Sequence, residues 1–129
     1  MTSLIFAGVS CNKDDVTGNE LNINRNTTIN NNSQLKNEAE GIRLWMKAVT
    51  EDSRCPEELD CFWPGNGAVA FELTIGNRSY PFTLNTYTLP RDTTLERYNI
   101  RLTDLKPWPK ANEIIPQQDY KAEMLITKK

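Results

Sequence analysis

The residues best able to do chemistry crowd into one short stretch. Glu51, Asp52, Glu57, Glu58 and Asp60 all fall within residues 51–60, interleaved with Arg54 and Cys55, and Cys61 and Trp63 follow directly. Five carboxylates could gather oxygens for Ca²⁺, but the alternating spacing and the Gly of an EF-hand loop are missing. As a glycosidase pair, two of them would have to flank a sugar-sized cleft, one with a raised pKa. A sandwich-sized domain offers little room for such a cleft. The sequence contains no His. That removes Ser-His-Asp and Cys-His nucleophiles, every His-ligated zinc site and the commonest general base near neutral pH. The reading is a chain without catalytic residues, metal or cofactor, and not an enzyme.

Cys55 and Cys61 enclose five residues. Two Cys with neither His nor further Cys beside them cannot close a zinc site. In an exported chain they read as a short disulfide loop, worth about 2 kcal/mol by loop entropy. The loop supports two readings. In one, it displays Arg54, Trp63 and the neighbouring acids to a partner, because Trp and Arg are enriched at binding hot spots. In the other, Asp52 accepts backbone N–H groups of the turn or pairs with Arg54, and Trp63 plugs one end of the domain. For Arg54 both readings stand equally. Trp45 and Trp108 could together form an aromatic platform for sugar rings, or could each cover a sheet edge.

The third cysteine belongs to a different context. Leu4-Ile5-Phe6-Ala7-Gly8-Val9 is an apolar run far too short to span a bilayer, and Ser10-Cys11 closes it. Gly8-Val9-Ser10-Cys11 resembles a bacterial lipobox, in which the Cys is acylated, although Leu is more usual where Gly8 stands. Lys13-Asp14-Asp15 resembles the signal that sends Bacteroidota lipoproteins to the outer leaflet of the outer membrane. The resemblance implies a lipid anchor at Cys11, residues 1–11 as a truncated signal and lipobox, and a place on the cell surface, with the periplasmic face as the other side. It also accounts for the odd cysteine.

The chain that must position these groups has 129 residues, enough for one domain and a tail. With 15 Lys+Arg against 17 Asp+Glu it lacks the basic stripe of a nucleic-acid binder. Residues 12–40 hold nine Asn and few apolar side chains, which reads as a disordered tether, with an edge strand possible near 21–29 around Leu21-Asn22-Ile23-Asn24. Asn30-Asn31-Asn32 reads as a turn.

From residue 41 to 129 the period becomes two. Ile42, Leu44, Met46 and Ala48 alternate with Arg43, Trp45, Lys47 and Val49. Val69, Phe71, Leu73 and Ile75 form a clearer strand, and Gly76-Asn77 turns it back as a type II′ hairpin into Tyr80, Phe82 and Leu84. Pro81 marks that return strand as an edge. Tyr98, Ile100 and Leu102 make another, and Tyr120, Ala122, Met124 and Ile126 the last. Only short turns are expected over 88–97 and 110–118. The expected fold is all-β, a small antiparallel sandwich or barrel-like domain.

The segment Glu51-Asp52-Ser53-Arg54-Cys55-Pro56, then Cys61-x-Trp63-x-Gly65-Asn66, is similar to a motif in a group of small Bacteroidota lipoproteins of no assigned activity. The likeness runs over residues 40–110 and includes the Pro-aromatic-Pro stretch Pro107-Trp108-Pro109. It implies location and fold rather than chemistry. The expected function is a membrane-anchored, non-enzymatic binding or accessory module for an extracellular protein or glycan. A protease inhibitor presenting the Cys55–Cys61 loop and a structural envelope protein are the alternatives.

Overall fold

The computed structural model describes residues 20–129. Cys11 and Lys13-Asp14-Asp15 lie outside the described residues. The fold is all-β: β1 (Asn26–Asn30), β2 (Gln34–Asn37), β3 (Ile42–Asp52), β4 (Gly67–Ile75), β5 (Arg78–Asn85), β6 (Asp92–Leu95), β7 (Tyr98–Lys106) and β8 (Lys121–Lys128), with one 3-10 turn at Gln117–Asp119. They form two four-stranded antiparallel sheets in the orders β2-β3-β4-β5 and β1-β8-β7-β6. Inward-pointing Leu44, Met46, Phe71 and Leu73 of the first sheet meet Ile100, Leu102, Met124 and Ile126 of the second in one core. This is the interleaving of inner faces that holds a sandwich together.

The alternating segments become the central strands, and Gly76 turns the β4–β5 hairpin with φ +59°, the positive value its side-chain-free backbone takes without strain. Pro81 lies on β5, an edge strand as its missing N–H requires. On β3 the alternation changes phase. Register shifts between Met46 and Ala48 and between Val49 and Glu51 turn Val49 inward and leave Ala48 half-buried, the reverse of the uninterrupted pattern. A bulge adds one residue, and one residue is enough to exchange the two faces.

The domain begins earlier than residue 41. Leu21, Ile29 and Leu35 are buried in the core, so residues 21–40 belong to the sandwich and are not tether. The edge strand is Asn26–Asn30, not the Leu21–Asn24 segment. The turn at Asn31-Asn32, with Asn32 at φ +62°, carries the chain from β1 in one sheet to β2 in the other. A second strand, β6, occupies 92–95, where only turns were expected. β1, β2 and β6 each place one or two apolar or Thr side chains inward between polar ones, too little for a periodic signal.

The two ends of the sandwich differ. Leu21 N–H donates to Lys36 O at the end of β2 (2.9 Å), and Asn24 N–H to Ile126 O near the end of β8 (2.7 Å). The chain therefore enters at the end where the Glu40 carboxylate accepts from Tyr98 Oη (2.7 Å) and pairs with Lys128 (3.1 Å). The connections β3–β4 (53–66), β5–β6 (86–91) and β7–β8 (107–120) all gather at the opposite end.

Candidate functional site: the three-loop end

The root of the 53–66 loop is an ion pair closed over by the rest of the fold. Arg54 is 4% exposed. Its Nε and Nη2 donate to the two oxygens of Asp52 (2.7 and 2.8 Å), a bidentate pairing. The remaining donors reach the end of β7 in the second sheet and the residue just past it: Nη1 to Leu105 O, and Nη2 to Pro107 O (2.9 Å). Tyr120 Oη donates to the same Asp52 carboxylate (2.7 Å). Burial disfavours the Asp52 charge, but the Arg54 and Tyr120 hydrogen bonds and the guanidinium charge outweigh it, and the carboxyl is held below its ordinary range. Burial, then the hydrogen bond to Asp52 and its negative charge, push the Tyr120 hydroxyl up to about 12.

Trp108 closes this network from above. The Arg54 guanidinium carbon lies 5.0 Å from the Trp108 ring centroid, and Trp108 Nε1 donates to Cys55 O (2.9 Å). Cys55 is bonded to Cys61, and Cys55 N–H donates to Pro64 O (2.8 Å), so both arms of the loop are tied to one residue. Gly65 has φ +77°, and a Cβ there would lie 1.8 Å from Ser53 O. No other residue fits that position.

A second network joins this loop to its neighbour. Asn66, buried, accepts at Oδ1 from Tyr87 N–H (3.0 Å) and Thr88 N–H (3.1 Å), and its amide donates to Asn85 Oδ1 (3.0 Å). Asn85 in turn donates to Pro90 O (2.9 Å). Side-chain amides stand in for the ladder bonds that the 86–91 loop cannot make, which satisfies its partly buried backbone donors. Tyr87 then receives Trp63 edge-on, at 5.8 Å between centroids.

The structure redistributes the residues singled out from sequence. Arg54 is not displayed to a partner, because every one of its side-chain nitrogens donates inside the domain. Asp52 takes the pairing role and also accepts the Arg54 N–H (3.3 Å). Trp63 does not plug the sandwich: it is half-exposed on Tyr87. Trp45 and Trp108 do not form one platform. Trp45 lies near the start of β3 on its outer face, with Lys47 over the ring. Trp108 packs on Arg54 beyond the far end of that strand, about 20 Å away at the rise of an extended chain. Cys55 and Cys61 are bonded as expected.

The acids do not converge on one point. The Glu58 carboxylate accepts the Ala111 N–H (3.3 Å), Glu51 accepts from Ser53 Oγ (3.1 Å), and Asp52 is taken by Arg54. Among the described residues no three acids or thiols cluster as metal ligands would. A depression of about 360 Å³ beside β3 is lined by Glu51, Asp52, Glu113 and Tyr120. A glycosidase acid there would need a raised pKa, and the Asp52 shift is in the other direction.

What sequence reasoning missed is the company that Trp63 keeps. The large apolar side chains exposed among the described residues are Leu59, Phe62 and Trp63 in the first loop, Tyr87 and Leu89 in the second, and Trp108 and Ile114 in the third. All of them stand at the same end of the sandwich. Single exposed apolar residues are ordinary, but their collection at one end marks an interaction surface. Phe62 is wholly exposed. The signal lay in the run Cys61-Phe62-Trp63-Pro64, where two aromatic residues follow a disulfide and cannot both turn inward. Comparison with family models, with curated proteins and with solved structures gives no match to this chain.

Proposed function

We propose that this chain is a lipid-anchored, extracytoplasmic, non-enzymatic binding module of the small Bacteroidota lipoprotein type, held at the outer membrane through Cys11. It engages an extracellular protein or glycan with its three-loop end. The observation that carries the reading is the confinement of every large exposed apolar side chain among the described residues to loops 53–66, 86–91 and 107–120. Two cross-linked networks hold those loops in shape, so little conformational entropy is lost when a partner docks.

The place where the described chain begins supports the same reading. Its first described residues, Glu20 and Leu21, lie beside Lys36 at the end of the sandwich remote from these loops, so the apolar loops stand clear of the point where a tether from an acylated Cys11 would join. Lys13-Asp14-Asp15 supports the cell surface over the periplasmic face. The aromatic and aliphatic content of the loop end favours a contact surface over a purely structural envelope role, because a structural protein has no need of an unpartnered Phe62.

Two measurements test it. Protease shaving of intact cells carrying the full gene should cleave the wild-type protein and spare a Lys13→Ala, Asp14→Ala, Asp15→Ala variant. Protection of wild type while it stays membrane-bound would move it to the periplasmic face. Capture of proteins and glycans from culture medium by immobilised full chain should be lost on Trp63→Ala with the unfolding midpoint retained. Capture indifferent to Trp63, Leu89 and Trp108 substitutions would overturn the loop-end reading.

A further inference from the structure

We infer that the Cys61–Trp63 segment is a reactive loop that inhibits serine proteases of chymotrypsin-like specificity, with Phe62 filling the enzyme's primary apolar pocket. This names a partner for the loop end proposed above and rests on that reading.

The first ground is shape. Residues 57–64 are all exposed, and Phe62 projects with its whole side chain in solvent. A convex segment of this kind can enter a cleft, and an aromatic ring brings 150–250 Å² of buried surface to a pocket that accepts it. The second ground is rigidity. On one side of Phe62 the chain is fixed by the Cys55–Cys61 disulfide, and on the other by the Cys55 N–H bond to Pro64 O at 2.8 Å. Cys55 is itself held by Trp108 Nε1 at 2.9 Å, and the Trp63 ring is seated on Tyr87.

That arrangement separates an inhibitor from a substrate. Attack by the protease serine Oγ on the Phe62 carbonyl carbon forms an ester and breaks the Phe62–Trp63 C–N bond. The serine proton leaves on the new Trp63 amine. In an ordinary substrate the amine-bearing product departs, and water hydrolyses the ester. Here the acyl side and the amine side are both tied to Cys55, so the amine stays beside the ester. It can attack the ester carbonyl, returning the proton to serine and restoring the peptide bond. The enzyme remains occupied.

Charge narrows the partner. Glu57, Glu58 and Asp60 share this loop, and its single cation, Arg54, is buried and paired. The loop is thus acidic around an apolar tip, which steers it toward an enzyme with a basic rim. The same charges oppose docking onto a second copy of the chain or an anionic membrane.

The test uses the full chain, disulfide intact, against α-chymotrypsin and trypsin with chromogenic substrates. Wild type should inhibit chymotrypsin stoichiometrically. Phe62→Ala should weaken inhibition about 30-fold or more, as for a hot-spot truncation, and Phe62→Arg should transfer inhibition to trypsin. Both variants alter a side chain that packs against nothing, so the unfolding midpoint should not move. A Cys55→Ser, Cys61→Ser variant should turn from inhibitor into substrate, cut after residue 62. Chymotrypsin left active by micromolar wild type, or inhibition indifferent to residue 62, would overturn the inference. If loop-dependent capture survives that result, the inhibitor falls and the binding module stands; if capture is also indifferent to the loops, both fall.

Discussion

Arg54→Met removes the guanidinium and keeps most of the side-chain volume, so it isolates the polar network from packing. The pair it breaks is nearly enclosed: the Arg54 side chain is 1% exposed and that of Asp52 12%. Four acceptor positions lose a donor at once, namely both Asp52 oxygens, Leu105 O and Pro107 O. Tyr120 keeps one bond to Asp52, and the slight exposure of that carboxylate admits some water. Removing one partner of a buried pair costs about 3–5 kcal/mol, because the other charge is left without compensation. A domain of this size has about 5–15 kcal/mol of stability in total, so the variant should lose about a fifth of it or more. Urea unfolding followed by circular dichroism gives the free energy, and its m-value shows whether unfolding remains cooperative. The effect should also depend on pH. In wild type the Asp52 carboxyl is depressed in the fold, so its stabilising contribution is present above the ordinary carboxylate range and is lost as pH falls through the depressed value. In the variant that acid limb should flatten. A loss below about 1 kcal/mol, the range of exposed ion pairs, or an unchanged acid limb would refute the account of this network as the fastening between the sheets.

The remaining predictions concern other parts of the same structure. Tyr120 is raised to about 12, so the unfolded hydroxyl ionises first as pH rises past about 10; stability should fall between about 10 and 12, and Tyr120→Phe should remove that alkaline limb from the urea midpoint profile. Leu21→Ala should cost about 2–5 kcal/mol in thermal or urea unfolding, the loss expected of a fully buried side chain; a neutral result would return residue 21 to the tether. Gly65→Ala should destabilise by about 2 kcal/mol or more, because its Cβ would meet Ser53 O at a positive φ; a well-folded variant of wild-type midpoint would contradict the turn geometry.

Much of the framework was legible from residues alone because its rules are local. Period-two alternation over 42–46, 69–75 and 98–102 follows from the pleat of a strand with one face buried, and Gly76 and Pro81 act on their own backbone bonds. The 55–61 disulfide was legible for the same reason, since its partners are close along the chain. β2 and β6 were not legible, because a four-residue polar strand owes its state to a neighbour already in place. Nor were the β3 bulges, which move Val49 inward against the alternation.

The site divides along the same line. The composition of residues 51–67 pointed to a pinned loop carrying aromatic and charged groups, and the absence of His removed most nucleophilic chemistry. The fate of each group was decided only in three dimensions. Arg54 could equally have been displayed or buried, and the atoms that hold it, Leu105 O and Pro107 O, come from the end of β7 in the other sheet and from the loop that follows it. Trp45 and Trp108 look alike in the sequence, yet the fold places them toward opposite ends of β3, Trp45 half-buried on the strand and Trp108 on Arg54. Asn66 and Asn85 gain their roles from loops that only the sandwich brings together. Local rules choose strand and turn from neighbouring residues, whereas a side chain's partner is chosen by the closure of the two sheets, which gathers three loops at the end of the molecule away from where the chain comes in.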